Sequence, residues 1–280
     1  MKNFFLLKPQ KNLGQNFILS NKITKKMVVL AGNLRNFNVI EIGPGHGLLT
    51  NEILTHNPKS LLAIEKDGSL VKYCNNLLKN KQYKQHKNFK IIKADALSVM
   101  EEKLIKRPVK IIANLPYNIS VALFLKWLNN IKYFTNLTLM FQREVADRIV
   151  AKPNSKNYGS LSILSQLLCN IKKEFDVEPD KFYPIPKVYS SVITVKPLPI
   201  QRFTVNLKTL AEITHIIFSQ RRKMIRNILR KLTDHTETVL EKIKLSGNER
   251  PENLTIEQFC LLANILQNSQ NSFIKKANPN

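Results

Sequence analysis

The chain has 280 residues, of which 43% are hydrophobic and 23% are charged, an ordinary composition for a folded globular protein. No apolar run approaches the ~20 residues of a membrane span, and the three cysteines and five scattered histidines have no metal-like spacing. The sequence therefore predicts a cytoplasmic protein with no membrane partner, no disulfide framework and no metal.

The charge is strongly positive, with 44 Lys and Arg residues against 20 Asp and Glu residues and a formal net charge of +24. Such a field favours a polyanionic partner, and nucleic acid before a membrane surface. The chain is also rich in Lys, Asn and Ile together, which a nucleotide-biased genome produces without selection for binding. Both explanations stay open on charge alone.

Short apolar runs alternate with helix-like stretches along the first half of the chain. They predict buried strands over 38–43, 61–65, 89–95, 110–114 and 137–142. Strands that alternate with helices favour an α/β fold, a doubly wound and mostly parallel sheet covered on both faces. Binding sites in such sheets lie at the carboxyl ends of the strands.

The pattern changes near residue 200. The proline-rich stretch 183–199 predicts an irregular loop followed by one more strand. From about Asn206 to Ile274 the chain reads as helices, over 207–232, 239–245 and 255–266. We therefore predict a first domain at 1–199 and a smaller helical domain at 200–280.

A glycine-rich loop follows the first predicted strand in "EIGPGHGLLT". Gly43, Gly45 and Gly47 let backbone N–H groups approach a ligand and permit a tight turn. Leu48 stands where the dinucleotide fingerprint requires glycine, which disfavours NAD and favours a nucleoside without a pyrophosphate. An ordinary tight turn would use the same glycines.

Acidic residues end the next two predicted strands. Glu65 follows the glycine loop by about 20 residues, a spacing at which a carboxylate accepts hydrogen bonds from both ribose hydroxyls. Asp67 reads as the N-cap of a helix that begins near Ser69, and Asp95 is placed to accept a bond from an adenine amino group. Glycine, Glu and Asp at three successive strand ends favour a nucleoside site.

The fourth predicted strand ends in "NLPY". Pro116 stiffens the turn and biases Leu115 away from helical geometry, so that the Leu115 carbonyl projects outward. Asn114 offers a second carbonyl acceptor, and Tyr117 offers a flat face on which a base could stack. Two converging acceptors suit an exocyclic amine with two hydrogens, whose lone pair they would free for attack on an electrophile.

These motifs together resemble a known family. The similarity runs over nearly the whole chain, through "KNLGQNFI" (11–18), "EIGPGHGLLT" (41–50), "IANLPYNIS" (112–120), "FQREVADRI" (141–149), "FYPIPKVYSSV" (182–192) and "FSQRRKMIRNIL" (218–229). The chain resembles the S-adenosylmethionine-dependent rRNA adenine N6,N6-dimethyltransferases, and most closely those that act on bacterial 16S rRNA. It departs from them at Ser160, where relatives often carry Arg, and at Ile18, where Leu is common.

The resemblance implies a Rossmann-like methyltransferase domain that binds S-adenosylmethionine and a helical RNA-binding domain. It implies that Tyr117 and Phe182 sandwich the target base, with the Leu115 carbonyl as second acceptor; from the residues alone, Phe182 reads as a core residue. The implied cofactor-binding residues are Asn16 and Ile18 in a covering segment, Gly43 at the methionine part, Glu65 at the ribose, Asp95 at the adenine, and Asn114 between the cofactor and the target amine.

The implied substrate is a pair of adjacent adenines near the 3′ end of 16S rRNA, within an immature small ribosomal subunit, and the protein is expected to be a monomer. A basic helix in "QRRKMIRNIL" is predicted to grip RNA phosphates, although a solvated charged face would look the same. Its cations are Arg221, Arg222, Lys223, Arg226 and Arg230.

Three alternatives remain at this point. The same chemistry on 23S rRNA would confer antibiotic resistance, but that group more often carries Ile at the position of Leu115. DNA adenine methyltransferases commonly carry a second Pro there. The protein could also act chiefly as a ribosome-assembly factor, through binding more than through chemistry.

Overall fold

The computed structural model describes residues 9–10, 13–78 and 88–269. Within these ranges the backbone forms two compact units. The first comprises the residues up to Ala146 together with Asn170–Pro197, and the second comprises Asp147–Cys169 and the residues from Leu198 onward.

The first unit contains a seven-stranded sheet. Its strands are β2 (Asn38–Ile42), β3 (Ser60–Glu65), β4 (Phe89–Lys93), β5 (Val109–Asn114), β6 (Phe134–Gln142), β7 (Cys169–Val177) and β9 (Ser190–Pro197). Their order across the sheet is β4-β3-β2-β5-β6-β9-β7. The pairs from β4 across to β6 are parallel, and β9 runs antiparallel to β6. The predicted doubly wound, mostly parallel α/β sheet is confirmed.

Two further strands, β1 (Phe17–Ile18) and β8 (Phe182–Tyr183), form a separate antiparallel pair. The helices up to the end of the sheet are α1 (Asn21–Ala31), α2 (Leu48–Thr55), α3 (Gly68–Leu78), α4 (Glu101–Leu104), α5 (Ser120–Asn129), α6 (Arg143–Val150) and α7 (Ser160–Leu168). No helix among the described residues is long and apolar enough to cross a membrane.

The strand order reverses direction at β2. The chain passes from β2 outward to β3 and β4, then returns to the other side of β2 to form β5. This reversal is a topological switch point, where loops leave neighbouring strands in opposite directions and open a crevice at their carboxyl ends. The fold thus places a cleft beside the ends of β2 and β5.

All five predicted strands are present, and the strand predicted after the proline-rich stretch is β9. Strand β7 was not predicted, because its sequence CNIKKEFDV contains no apolar run. It lies at the edge of the sheet, where charged side chains remain exposed and protect the edge from pairing with other chains.

The second unit is built from helices. After α7 these are α8 (Leu207–Ser219), α9 (Ile225–Leu229), α10 (Thr236–Lys242) and α11 (Ile256–Ser269). An aromatic contact joins three of its segments: Phe218 stacks on Phe259 with ring centroids 5.5 Å apart and meets Tyr158 edge-on at 6.1 Å. The predicted helices at 239–245 and 255–266 correspond to α10 and α11.

The boundary between the units differs from the predicted domains in one respect. The later boundary follows Pro197, close to the predicted position, but residues 147–169 group with the helical unit. The reason is that Tyr158 packs on Phe218, a contact between distant segments that the local sequence pattern does not predict. The assignment of a separate function to each domain stays a prediction.

The single helix predicted over 207–232 is wrong. Helix α8 ends at Ser219, and residues 220–224 form a turn before the short α9. The backbone N–H of Ile225 donates to Glu249 O at 2.7 Å, and that of Arg226 donates to Gly247 O at 3.1 Å. These two bonds replace the bonds that a continuous helix would make, so a tertiary contact overrides a segment of good helix formers.

Candidate active site

The cleft at the switch point is lined by the carboxyl ends of four strands and by an N-terminal segment. We call residues 13–18 the N-terminal strap. The lining includes Leu13, Gly14, Gln15, Asn16, Phe17, Ile18, Glu41, Gly43, Gly45, His46, Glu65, Asp95, Asn114, Leu115 and Pro116. The structure thus brings together the predicted cofactor-binding residues Asn16, Ile18, Gly43, Glu65, Asp95 and Asn114.

The glycine loop after β2 approaches the strap closely. Gly45 has a φ of +55°, and a Cβ at this position would lie 2.7 Å from Cδ1 of the Phe17 ring. Two effects therefore exclude any residue with a side chain at position 45: the backbone conformation would be strained, and the side chain would clash with Phe17 of the strap. The loop is a tight turn, and it is also a surface against which another segment packs without space for side chains.

Glu65 ends β3 with only 7% of its surface exposed. Its Oε1 accepts a hydrogen bond from the Asp67 backbone N–H at 2.8 Å. Burial raises the pKa of Glu65, and the backbone N–H groups of Asp67, Lys66 and Gly45 oppose this shift. A carboxylate has about four acceptor positions, so Glu65 keeps capacity for a hydroxyl donor.

Asp95 lies at the end of the following strand in a more exposed position. Its Oδ2 accepts from Lys66 Nζ at 2.8 Å and its Oδ1 from the Leu97 backbone N–H at 3.0 Å. The Lys66 bond, followed by the Leu97 bond, lowers the pKa of Asp95. Asp95 is therefore ionised at neutral pH and available as an acceptor.

Asp67 has two roles, one predicted and one not. Its Oδ1 accepts from the Ser69 backbone N–H at 2.9 Å, as an N-cap does, which confirms that prediction. Its Oδ2 accepts from the side-chain amides of Gln10 at 3.0 Å and Gln15 at 3.1 Å. Asp67 thereby fastens the N-terminal strap, and Gln10 before it, to the start of α3.

Two further contacts hold the strap. Phe17 and Ile18 form β1, which pairs with Tyr183 and Phe182 of β8. The Nδ2 of Asn114 donates to the backbone carbonyl of Asn16 at 2.8 Å. The strap is therefore tied to the ends of β3 and β5 and to the segment before β9.

The bond to Asn16 determines how the Asn114 side chain is oriented. Only the amide nitrogen can donate to a carbonyl, so Nδ2 faces the strap and Oδ1 faces away from it. Among the described residues, Asn114 Oδ1 has no hydrogen-bond partner, although it is buried. A buried acceptor without a partner costs about 1–3 kcal/mol, so this oxygen indicates a site where a ligand donor belongs.

Tyr117 follows in the same turn and is half-buried. Its hydroxyl bonds with Ser190 Oγ at 2.5 Å, and burial raises its pKa. The bond fixes the ring at the start of β9. Pro116 and Leu115 lie between it and Asn114, and the Leu115 backbone N–H donates to Met140 O at 3.3 Å.

Phe182 is not placed as the resemblance implied. Its side chain is 1% exposed and packs in a core cluster with Ile18, Met27 and Val177. Successive residues of a strand point to opposite sides, so Tyr183 is the exposed residue of β8, at 37%. The core position expected from the residues alone is the observed one, and the predicted sandwich with Tyr117 is not formed in this structure.

The predicted basic helix is also replaced, as described above, by a turn and the short α9. Arg221 donates to Ser155 O at 3.1 Å and pairs with Glu252 at 3.4 Å. Arg226 donates to Ser246 O at 2.6 Å and pairs with Glu237. Both arginines therefore stabilise the second unit.

The other three cations of the set, Arg222, Lys223 and Arg230, are exposed. Lys231 lies near Lys223 and lowers its pKa. Two neighbouring cations repel each other, and a polyanion relieves that repulsion. Of the five cations predicted to bind RNA phosphates, these three are the exposed ones.

Comparison with known proteins agrees with this architecture. The model of the ribosomal RNA adenine dimethylase family matches residues 7–268. The chain belongs to this family.

Two curated relatives of this dimethylase are named ribosomal RNA small subunit methyltransferase A. The one from Wolbachia sp. subsp. Drosophila simulans (strain wRi) is 74% identical over 260 residues, 93% of this chain and 94% of the relative. The one from Ehrlichia ruminantium (strain Gardel) is 48% identical over 266 residues, 95% of this chain and all of the relative. A crystal structure of a dimethyladenosine transferase from Plasmodium falciparum matches with a TM-score of 0.78 at 25% identity, covering 92% of this chain and 98% of that one.

The dimethylase cavity also contains a residue that the sequence analysis missed. Glu41 lies within β2, is 1% exposed and accepts a hydrogen bond from Thr50 Oγ1 at 2.7 Å. Burial raises its pKa to about 8, with Thr50 opposing the shift and Glu65 adding to it. The available signal was a charged residue inside the otherwise apolar strand NVIEI. Among the described residues, no group of three or more His, Cys, Asp or Glu side chains could hold a metal ion.

The contacts of Asp67 predict that a single substitution at position 15 or 67 weakens the attachment of the strap, and that exchanging donor and acceptor between the two positions restores it. Gln15→Glu places a second carboxylate against Asp67, and Asp67→Asn turns an amide NH₂ toward the glutamine amides. We expect either single variant to speed hydrogen–deuterium exchange of residues 13–18 by roughly five- to thirty-fold, equivalent to about 1–2 kcal/mol.

The double variant Gln15→Glu, Asp67→Asn should restore slow exchange of the strap. In this variant the new amide nitrogen at position 67 donates to the new carboxylate at position 15, while the amide oxygen still caps the Ser69 backbone N–H. Exchange in the double variant as fast as in both single variants would contradict the role of Asp67.

Glu41 predicts a pH dependence of stability. Its folded-state pKa of about 8 exceeds the ordinary value of 4.5, so between these values the native state retains a proton that the unfolded state has lost. The free energy of unfolding of the wild type therefore falls as pH rises across this window. We expect the stability of Glu41→Gln relative to wild type to increase from about pH 5 to about pH 8 in chemical denaturation. Glu102→Gln, which changes an exposed carboxylate, is the control and should show no such trend.

Proposed function

We propose that this dimethylase transfers methyl groups from S-adenosylmethionine to the N6 amines of two adjacent adenines near the 3′ end of 16S rRNA. The product is N6,N6-dimethyladenosine, and the modification belongs to small-subunit biogenesis. The observation that carries the chemistry is the buried Asn114 Oδ1, an acceptor without a partner among the described residues at the end of β5.

The cavity residues fit the proposed cofactor. Gly43 offers close backbone approach to its methionine part, Glu65 offers an acceptor for a ribose hydroxyl, and Asp95 offers an acceptor for the adenine amino group. Asn16 and Ile18, in the strap, would cover it. When bound, S-adenosylmethionine supplies a methyl group activated by its sulfonium.

The protein's own contribution is to hold the target amine. Asn114 Oδ1 accepts one N6 hydrogen and the Leu115 carbonyl accepts the other, so the amine becomes pyramidal and its lone pair is released from the ring. The target base first leaves the base stack of the RNA, which costs a few kcal/mol. It then stacks against the flat face of Tyr117. Positioning and fixed dipoles supply the catalysis, and no strong general base is required, because the amine becomes a strongly acidic cation when it takes the methyl group and then releases its proton to water. For the second transfer the site accepts a methyl group in place of one hydrogen.

Two observations support 16S rRNA over the alternatives. The curated relatives with which this chain shares 74% and 48% identity are named for the small ribosomal subunit. Leu115 also differs from the Ile that is common in 23S enzymes and from the second Pro that is common in DNA methyltransferases. A pure assembly factor would have no use for the orphan acceptor of Asn114.

The partner, location and oligomeric state belong to the same proposal. We expect the substrate to be 16S rRNA within an immature small subunit, the enzyme to be a monomer, and the cytoplasm to be its compartment. The net charge of +24 supports a nucleic-acid partner.

Asn114→Ala tests the chemistry. Removing the acceptor should lower methyl transfer to unmodified small subunits by about 10²–10³-fold, the usual cost of one preorganised polar contact. The same change removes the bond to Asn16, so the affinity for S-adenosylmethionine, measured by calorimetry, should fall by up to about ten-fold, the usual worth of one hydrogen bond. Methylated adenines would be mapped in the rRNA after incubation with each variant.

Asn130→Ala, an exposed asparagine just after α5, is the matched control and should remain active. Full activity of Asn114→Ala would sink the assignment. If the inactive Asn114→Ala protein nevertheless supports subunit assembly as well as wild type does, the result favours the alternative in which the protein acts mainly as an assembly factor.

The exposed cations predict a change in salt dependence. The double variant Arg222→Ala, Lys223→Ala should bind rRNA more weakly and reduce the slope of log affinity against log salt by about 1.5, since each phosphate contact contributes about 0.7–0.9. Arg226→Ala should instead lower the free energy of unfolding, because Arg226 holds Glu237 and Ser246. An unchanged slope in the double variant would refute a phosphate-binding role for this turn.

A further inference from the structure

The last residue of β8 and the segment that leads from it to β9 carry an unusual exposed surface. We call residues 183–189 the proline-rich loop. Twelve large hydrophobic side chains are exposed among the described residues, and four of them lie in this loop. They are Tyr183 at 37%, Ile185 at 68%, Val188 at 43% and Tyr189 at 41%. Isolated exposed apolar side chains need no explanation, but a cluster within seven residues indicates a contact surface.

The loop is held in place at its C-terminal end. The Arg143 backbone N–H donates to Tyr189 O at 2.9 Å. The Arg143 guanidinium lies over the Tyr189 ring at 4.7 Å from its centroid, within the range of a cation–π contact. The Tyr189 ring is thus positioned before any partner arrives, which reduces the entropy lost on binding.

The loop lies beside the turn that holds the target amine. Ser190 follows Tyr189 directly, and its Oγ bonds with the Tyr117 hydroxyl at 2.5 Å. Ser190 also pairs with Gln142, the last residue of β6, immediately before Arg143. Tyr189 and Arg143 are therefore each one residue from positions fixed to the candidate active site.

The charges around the loop favour an anionic partner. Arg143 and Lys187 are exposed, whereas Lys181 is paired with Asp180 at 2.6 Å and Glu178 at 3.5 Å. An aromatic ring backed by a guanidinium, with a lysine beside it, matches single-stranded nucleic acid, whose bases stack and whose phosphates attract cations. An apolar protein partner would not require the two cations.

We propose that the proline-rich loop is a platform for an unpaired nucleotide that flanks the target adenine in the RNA. Tyr189, supported by Arg143, stacks with the base of this nucleotide, Lys187 contacts its phosphate, and Ile185 packs against the sugar or base. The platform rests on the proposed function, since it presupposes an RNA substrate at the Tyr117 turn. It assigns RNA recognition to the first unit in addition to the exposed cations of the second.

Tyr189→Ala tests the stacking contact. Because stacking of one base on an aromatic side chain corresponds to roughly five- to 150-fold in affinity, we expect kcat/KM for rRNA to fall within that range. Tyr189→Phe keeps the ring and should retain near-wild-type activity. The affinity for S-adenosylmethionine should be unchanged in both, because Tyr189 does not line the cavity.

Two further variants keep the test independent of folding. Ile185→Ala alters a side chain that is 68% exposed and should fold normally while lowering RNA affinity. Lys187→Ala should reduce the salt slope of RNA binding by about 0.7, the value for one phosphate of a single strand. Lys59→Ala, an exposed lysine just before β3 and thus at the amino ends of the parallel strands, is the matched control and should leave the slope unchanged.

The outcomes separate the platform from the proposed function. If wild type methylates rRNA and Tyr189→Ala and Ile185→Ala do so equally well, the platform is refuted and the proposed function stands. If wild type methylates no rRNA, the proposed function fails. If the loop variants keep full rRNA affinity but lose binding to vesicles of phosphatidylglycerol, the surface binds anionic lipid and the platform is likewise refuted.

Discussion

The hydrogen bond from Asn114 Nδ2 to the backbone carbonyl of Asn16 is the interaction on which the rest of the site depends. An asparagine amide has two faces of opposite polarity, and only one of them can meet a carbonyl. Because Asn114 Nδ2 donates to the strap, Asn114 Oδ1 must face away from the strap. Without this bond the amide could rotate and present two hydrogens to an amine that itself needs acceptors. Substrate chemistry at the end of β5 therefore depends on a backbone atom of a segment nearly one hundred residues earlier in the chain.

The positive charge of the protein has two separate uses. Arg221 and Arg226 form ion pairs with Glu252 and Glu237 and stabilise the helical unit. The exposed cations, by contrast, are directed to solvent, where a polyanion can reach them. Inside the cleft the acidic side chains differ, because Asp95 is ionised at neutral pH, whereas burial, with Glu65 adding to the effect, raises the pKa of Glu41 to about 8. A cationic group near Glu41 and Glu65 would favour their ionised forms, which suits a cleft that receives a sulfonium within a protein of net charge +24.

The sequence predicts what depends on neighbours along the chain. Apolar runs that end in Gly, Glu, Asp and Asn identified the strands, and a parallel sheet necessarily brings their carboxyl ends to one edge. The failures involve contacts between distant segments. Phe182 is buried by the pairing of β8 with β1, Arg226 is turned inward by Glu237 and Ser246, and residues 147–169 join the helical unit through Tyr158 and Phe218. The anchoring of Gln15 on Asp67 was unpredictable for the same reason, because neither residue carries a local sign of its partner.

The orphan oxygen of Asn114 has a consequence for how the reaction ends. In the proposed mechanism, unmodified adenine offers two N6 hydrogens and monomethyladenine offers one, whereas the dimethylated product offers none. Once the second methyl is in place, Oδ1 again becomes a buried acceptor without a donor, at a cost of about 1–3 kcal/mol. The loss of this bond weakens product binding by roughly ten- to one-hundred-fold relative to substrate. Asn114 Oδ1 thus favours binding of the unmodified amine and release of the dimethylated product. The number of hydrogens on N6 equals the number of methyl transfers that remain.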